Sequence, residues 1–299
     1  MPAIEIKGLS KTYATGTVAL KEVDMAVKEG DFFALLGANG AGKTTIIGIL
    51  TGLVTKTSGK VTVSGYDLDT QLDQVKSCIG VVPQEFNFSI WETVLNIVLD
   101  QAGFYGVPRK VAMARAEELL TALGLWEKRK QASRTLSGGM KRRLMIARAL
   151  MHKPKILLLD EPTAGVDVEL RHGMWEYLKK LNAEGTTILL TTHYLEEVEQ
   201  LCKNVVILKK GEKVRDSSVA SLLESSGLRT FRLTIDKDPA TINIKGLTLT
   251  PRSNDQIDVE VDGDSITQIA QTLSDAGVNI LDIRPTSNRI EQAYLEITA

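Results

Sequence analysis

The sequence predicts an α/β fold built on a largely parallel sheet, followed by a small α+β unit. Three observations predict it. Apolar runs of strand length at 32–36, 156–159 and 187–192 each hand the chain to a glycine or a polar residue. Helical patterns with apolar residues at three- and four-residue spacing lie between those runs, as in chains that alternate strand and helix. Beyond Ser225-Ser226-Gly227 the apolar residues fall into strict alternation, which marks a second unit.

Composition sets the outer bounds. With 43% hydrophobic and 24% charged residues over 299 positions, the chain is an ordinary globular one with room for two domains. A net charge of −1 gives no general reason to expect nucleic acid as a partner. Cys78 and Cys202 have no metal-ligand spacing and read as reduced thiols of a cytoplasmic protein. Met1 to Ser10 lacks the basic-then-apolar order of a signal peptide. No window approaches the roughly 20 apolar residues of a membrane span.

Phe32–Leu36 is the first buried strand, and it runs into Gly37-Ala38-Asn39-Gly40-Ala41-Gly42-Lys43-Thr44. That octet matches the phosphate-loop pattern in full. Its glycines let successive N–H groups turn toward phosphate oxygens, and the helix opening near Lys43 adds its positive end. Lys43 is expected to reach the β- and γ-phosphates and the Thr44 hydroxyl to ligate Mg²⁺, with Thr45 beside them. Val81-Val82-Pro83 then presents Gln84 at another strand end. From Phe86 to Gln131 the pattern turns helical, over Trp91–Gln101 and Arg109–Leu123, with Gly103, Gly106 and Pro108 between. We read residues of about 86–150 as a helical subdomain inserted between strands.

Ser137-Gly138-Gly139 opens a further helix carrying Lys141, Arg142 and Arg143. Ser137 suits an N-cap, and the exposed N–H groups behind it suit an anion. Standing alone, this turn reads first as a capped helix with a basic solvated face. Ile156–Leu159 ends in Asp160-Glu161, where Asp160 is expected to serve magnesium and Glu161 to orient or deprotonate water. Neighbours on a strand face opposite ways, so the two carboxylates are expected to have different tasks. Thr187–Thr192 ends near His193, the histidine of three that falls in this crevice; His152 and His172 read as structural.

In the second unit Phe231, Leu233 and Ile235 alternate, as do Ile257, Val259 and Val261. Ile266, Ile269, Ala270 and Leu273 trace a helix stripe, and a strand at 279–283 and a helix at 288–297 follow. The result is a small α+β domain over 228–299, with a ferredoxin-like plan as the candidate. From Arg229 onward 7 basic residues face 11 acidic ones, which argues against a nucleic-acid appendage.

Taken in order, Tyr13, GANGAGKT at 37–44, Gln84, LSGGM at 136–140, ILLLDE at 156–161, TAGVD at 163–167 and His193 resemble the ATP-binding cassette (ABC) ATPases. The resemblance implies a P-loop NTPase of the ABC type over 1–224 that binds ATP and Mg²⁺. By it, Tyr13 stacks on adenine, and Gly37, Asn39, Gly40, Ala41, Gly42, Lys43, Thr44 and Thr45 hold the phosphates. Thr44, Gln84 and Asp160 serve Mg²⁺, while Glu161, His193, Lys43 and Gln84 form the catalytic group. Ser137, Gly138, Gly139 and Asp167 act where two copies meet head to tail, the signature turn of one covering the ATP of the other. The family commonly has Gln where this chain has Met140; the phosphate contacts there come from Ser137 and backbone N–H groups, so activity is expected to survive.

The segment Asn288–Tyr294 looks like that of bacterial ABC-2-type exporter ATPases of the daunorubicin-resistance class. The resemblance therefore implies an ATPase subunit that dimerises on ATP and drives an integral membrane permease for export, from the cytoplasmic face of the membrane. Gln84 to Trp91, with Phe86, Phe88 and Trp91 as apolar anchors, is the expected docking groove. The alternatives are a soluble ABC ATPase acting on ribosomes or DNA, and an importer ATPase. A single cassette without a long heptad run speaks against the first, and a short C-terminal unit against the second. The transported substrate is not written in the chain.

Overall fold

The structure, a computed structural model, describes residues 2–163, 168–225, 228–239, 249–262, 266–285 and 289–298. The chain divides into two compact units, Met1–Ser218 and Val219–Ala299.

The first unit holds two sheets. One is antiparallel, in the order β2-β1-β4-β5, from β1 (Pro2–Thr12), β2 (Val18–Lys28), β4 (Ser58–Val63) and β5 (Tyr66–Asp67). The other has six strands in the order β10-β9-β3-β8-β7-β6, namely β3 (Phe32–Leu36), β6 (Ile79–Val82), β7 (Ile156–Asp160), β8 (Thr187–Thr192), β9 (Asn204–Lys209) and β10 (Glu212–Ser218). All its pairings are parallel except that of β10 with β9. Every residue of β3, β7 and β8 is buried, which is why these strands read as unbroken apolar runs.

The antiparallel sheet is the part of this unit that the apolar runs did not announce. Its pattern is disguised by register shifts: β1 buries Ile4, Ile6 and then Leu9, and β2 buries Leu20 and then Val23. Each bulge adds a residue and breaks the period of two. Helix α1 (Lys43–Leu50) joins the sheets, because Ile46, Ile49 and Leu50 share one core with Ile4 and Leu9 of the antiparallel sheet and Leu35 and Leu158 of the parallel one.

Helix α2 (Leu72–Cys78) precedes β6, and the helical insert follows it as α3 (Val94–Phe104), α4 (Arg109–Ala122) and α5 (Gly138–Ala149). Helix α3 starts later than the apolar spacing suggests, because Thr93 caps it by accepting from the Asn96 N–H at 3.2 Å. Gly106, at φ 68°, turns the chain before Pro108 opens α4. Helices α6 (Val168–Ala183) and α7 (Leu195–Leu201) complete the unit. Cys78 and Cys202 are buried free thiols, and burial pushes the Cys202 thiol well above its ordinary range.

The second unit contains α8 (Val219–Ser225), β11 (Leu228–Ile235), β12 (Leu249–Ser253), β13 (Gln256–Asp262), α9 (Ile266–Asp275), β14 (Ile280–Pro285) and α10 (Arg289–Thr298). Its antiparallel sheet has the order β12-β13-β11-β14. Strands β13 and β14, joined through α9, therefore flank β11, a split β-α-β arrangement. The segment in which a ferredoxin-like plan puts its other helix, 240–248, lies outside the described residues. Leu233, Ile235, Ile257 and Val259 form the core with Ile269 and Leu273. Between Ile257 and Val259, Asp258 takes hydrogen bonds from Arg232 and Arg252, which hold its carboxyl below the usual range.

Candidate nucleotide site

The site forms where β3, β7 and β8 end. Gly37 leaves β3 so close to β9 that a Cβ there would stand 2.6 Å from the Leu208 carbonyl oxygen. Gly42, at φ 109°, occupies the N-cap of α1, and a Cβ would meet Ala19 O at 2.8 Å and Leu20 Cδ2 at 2.7 Å. Gly37 is needed for close approach alone, and Gly42 for close approach and for its left-handed backbone as well. Lys43 is only 5% exposed; its Nζ donates to Gly37 O at 2.6 Å and Ala38 O at 3.2 Å. Burial pulls its ammonium below the ordinary lysine range, while the charges of Glu161 and Asp160 oppose the shift. The lysine is thus folded back onto the loop carbonyls and electrically tied to the carboxylate pair.

Asp160 ends β7 and is buried, with Oδ1 accepting from the Thr191 hydroxyl on β8. The expectation that Asp160 and Glu161 diverge by strand alternation needs correcting. Glu161 lies beyond the strand, at φ 48°, in the left-handed region that costs a residue with a side chain about 1–2 kcal/mol. Its N–H donates to Thr191 O at 3.0 Å, which holds the turn. The turn delivers the carboxylate to two partners: Gln84 Nε2 donates to Oε2 at 3.1 Å, and His193 Nδ1 lies 3.1 Å from Oε1. Three residues from three strand ends, placed far apart in sequence, meet here.

A cavity of about 440 Å³ opens over this group, lined by Asn39, Gly40, Gly42, Lys43, Thr44 and Thr45 of the loop, by Thr17–Ala19, and by Gln84 and Glu161. Tyr13 stands at its margin, its hydroxyl 3.2 Å from Thr45 Oγ1 and its ring 4.9 Å from the Lys11 ammonium. Ser137, Gly138 and Gly139 are not in the lining. They open α5, where the Ser137 hydroxyl accepts from the Met140 N–H at 3.3 Å, and Ser137 and Gly138 are exposed. Asp167 lies outside the described residues.

Two contributors escaped the sequence reading. Thr191 braces both residues of the pair, donating its hydroxyl to the Asp160 carboxylate and accepting the Glu161 backbone N–H on its carbonyl. Arg142 donates from Nη1 to Pro83 O at 2.7 Å and from Nη2 to Gln84 O at 2.8 Å. A threonine in a β-strand and an arginine in a basic helix carry no signal that separates them from their neighbours.

The chemistry of the donor set suits a magnesium–phosphate ligand. Gln84 spends its Nε2 on Glu161 and keeps Oε1 as a donor oxygen. Asp160 keeps Oδ2 after Thr191 takes Oδ1, and the Thr44 side chain opens to the cavity. Mg²⁺ prefers a few protein oxygens together with substrate phosphates over an all-protein cage. Among the described residues no cluster of three or more His, Cys, Asp or Glu side chains is placed to hold a metal by itself.

Comparison with known proteins places this geometry in context. The ABC transporter family profile matches residues 20–164. A linearmycin-resistance ATP-binding protein of Bacillus subtilis is 33% identical over 99% of this chain and 98% of its own length. A Nod factor export ATP-binding protein of Cupriavidus pinatubonensis is 39% identical over 74% of this chain and 68% of its own. Among solved structures, cbiO1 of Clostridium perfringens, part of an ABC transporter complex, aligns with a TM-score of 0.69 at 29% identity over 75% of this chain and 91% of its own. A bacterial ABC transporter cassette solved as a dimer aligns with a TM-score of 0.65 at 33% identity over 72% and 98%.

Proposed function

The chain belongs to the ATP-binding proteins of ABC transporters, and from that premise we propose that it dimerises on ATP and drives an export permease at the cytoplasmic face of a membrane. The observation that carries the reading is the Glu161 carboxylate held between Gln84 and His193 above a phosphate loop.

In this reading the N–H groups of Gly40 to Thr45 cradle the phosphates, and Lys43 leaves the Gly37 and Ala38 carbonyls for the β- and γ-phosphate oxygens. Thr44, Asp160 and Gln84 would hold Mg²⁺, which would supply positive charge to neutralise the phosphates. Glu161 orients the attacking water, and its contacts to Gln84 and His193 fix the carboxylate before the nucleotide arrives. His193 is half-exposed beside Glu161, and in this reading it contacts the γ-phosphate. Tyr13 carries the adenine at the loop margin.

The exposed Ser137 turn lies outside the cavity lining, and this supports its use on the ATP of a second copy, with Asp167 at the same seam. The dimeric state of a solved cassette at 33% identity supports it further. A C₂ pairing with one loop and one signature turn per copy gives two composite sites. Export is supported by relatives named for linearmycin resistance and Nod factor export, and alignment with the former over nearly the whole chain includes the C-terminal unit. No described helix is long and apolar enough to cross a membrane. In our reading the permease is a separate subunit of ABC-2 type, as the transporter names of the relatives support. Its docking surface is the groove of about 480 Å³ beside Pro83 and Asn87, where Leu53 and Phe104 are 84% and 86% exposed. Phe86, Ile90 and Trp91 lie exposed on the adjoining segment.

The test is Glu161→Gln, which keeps the hydrogen bonds to Gln84 and His193 within reach and removes the carboxylate. Turnover should fall by 10²-fold or more, and sedimentation with saturating ATP and Mg²⁺ should find a dimer. A monomer under those conditions would sink the composite-site reading.

A further inference from the structure

We propose that Arg142 is a positioning residue that fastens the Gln84 segment to the Ser-Gly-Gly helix, so that Gln84 keeps its place against Glu161 only while α5 keeps its own. The inference rests on the reading of Gln84 as a magnesium and water contact. Strand β6 is the outer strand of its sheet, pairs with β7 alone and ends at Val82. The carbonyls of Pro83 and Gln84 therefore leave the sheet ladder without a strand partner. Arg142 takes both, at 2.7 and 2.8 Å, from the two ends of one planar guanidinium. The group is 3% exposed and lies 5.2 Å from the Phe86 ring centre, so the segment from 83 to 86 wraps around it.

Arg142 sits in the first turns of α5, five residues after Ser137. The helix that carries the signature turn thus grips the backbone from which Gln84 reaches Glu161. Desolvation weakens the charged form, and the negative Asp160 offsets that cost. This arrangement needs the fork of a guanidinium, because an ammonium is a point donor with no fixed spacing between its bonds. A shift of α5 on meeting a second copy would pass through two hydrogen bonds to the residue proposed to sense magnesium.

The experiment compares the full chain with Arg142→Lys, Arg142→Gln, Gln84→Ala and the Arg142→Gln/Gln84→Ala double variant. Two readouts are taken: the Mg²⁺ concentration giving half-maximal ATPase, and amide hydrogen exchange over residues 84–88 without nucleotide or metal. We expect Arg142→Gln to raise the Mg²⁺ requirement about tenfold, in the range for lost support of a metal ligand. Arg142→Lys should raise it less, and the double variant no more than Gln84→Ala. Exchange over 84–88 should quicken in both Arg142 variants, a readout that does not depend on turnover. A raised Mg²⁺ requirement in Gln84→Ala with none in Arg142→Gln, or effects that simply multiply in the double variant, would overturn the role of Arg142 alone. An unchanged requirement in Gln84→Ala would overturn the reading of Gln84 and take this proposal with it. Should Arg142→Gln fail to fold, unaltered exchange in Arg142→Lys would still refute the tether.

Discussion

His152 shows how much a single side chain owes to its surroundings. Its Nε2 meets the Ile79 carbonyl at 3.0 Å and must therefore carry the proton, while Nδ1 is buried without a hydrogen-bond partner. Its ring stacks on Tyr105 at 3.6 Å between centres. Burial holds the imidazole below its ordinary pKa of 6.5, against the pull of the Ile79 carbonyl. As pH falls through 6.5 the unfolded chain takes a proton that the folded chain refuses, so stability is lost with acid until the folded value is passed. His152→Gln should remove this part of the slope. Urea midpoints at pH 7.5 and 5.5 should lie closer together in the variant than in the parent chain, and an identical spacing would refute it. Reading His152 as structural needed only the sequence. Its tautomer and the direction of its shift needed Ile79 and Tyr105, which lie 73 and 47 positions away in the chain.

Between elements, close approach decides the geometry. A Cβ on Gly80 in β6 would overlap the Ala149 carbonyl at the end of α5 and come within 2.8 Å of Pro154 Cγ. Gly80 thus sets how near α5 lies to β6, and so whether Arg142 reaches Pro83 and Gln84. Gly80→Ala should destabilise the chain by about 1–3 kcal/mol, as over-packing against backbone does. Chemical denaturation should show this, together with a loss of ATPase. An unaltered midpoint with full activity would mean that the two elements part without consequence. At this scale the sequence was informative where burial is two-sided: β3, β7 and β8 stood out as apolar runs because neither face meets water. It was uninformative for β1 and β2, because a bulge shifts the pattern without leaving a mark in composition. The placement of Glu161 was legible only as adjacency to Asp160; the left-handed turn that aims it comes from its pairing with Thr191.

For the whole molecule, the two units have separate cores, so each has its own source of stability. All residues lining the nucleotide cavity belong to Met1–Ser218. Deleting 219–299 should leave ATP affinity within about threefold of the full chain, a change of less than 1 kcal/mol, while altering dimerisation or coupling to the permease. Equilibrium binding of a fluorescent ATP analogue would check the first part and sedimentation with ATP the second. A truncated chain that no longer binds nucleotide would show that the second unit supports the site directly.

What the sequence determined by itself is the chemistry that lies in contiguous residues. The phosphate loop, the Asp160-Glu161 pair and the Ser137 turn are local, because backbone N–H groups, neighbouring carboxylates and a helix cap each act within a few residues. The tertiary structure decided which of these meet. It brought Gln84, Glu161 and His193 within hydrogen-bond distance across 109 positions, set Lys43 against the carboxylates, and left the Ser137 turn outside the cavity lining. The physical reason is that parallel strands deliver distant residues to one edge of a sheet, and only packing fixes which ends lie side by side.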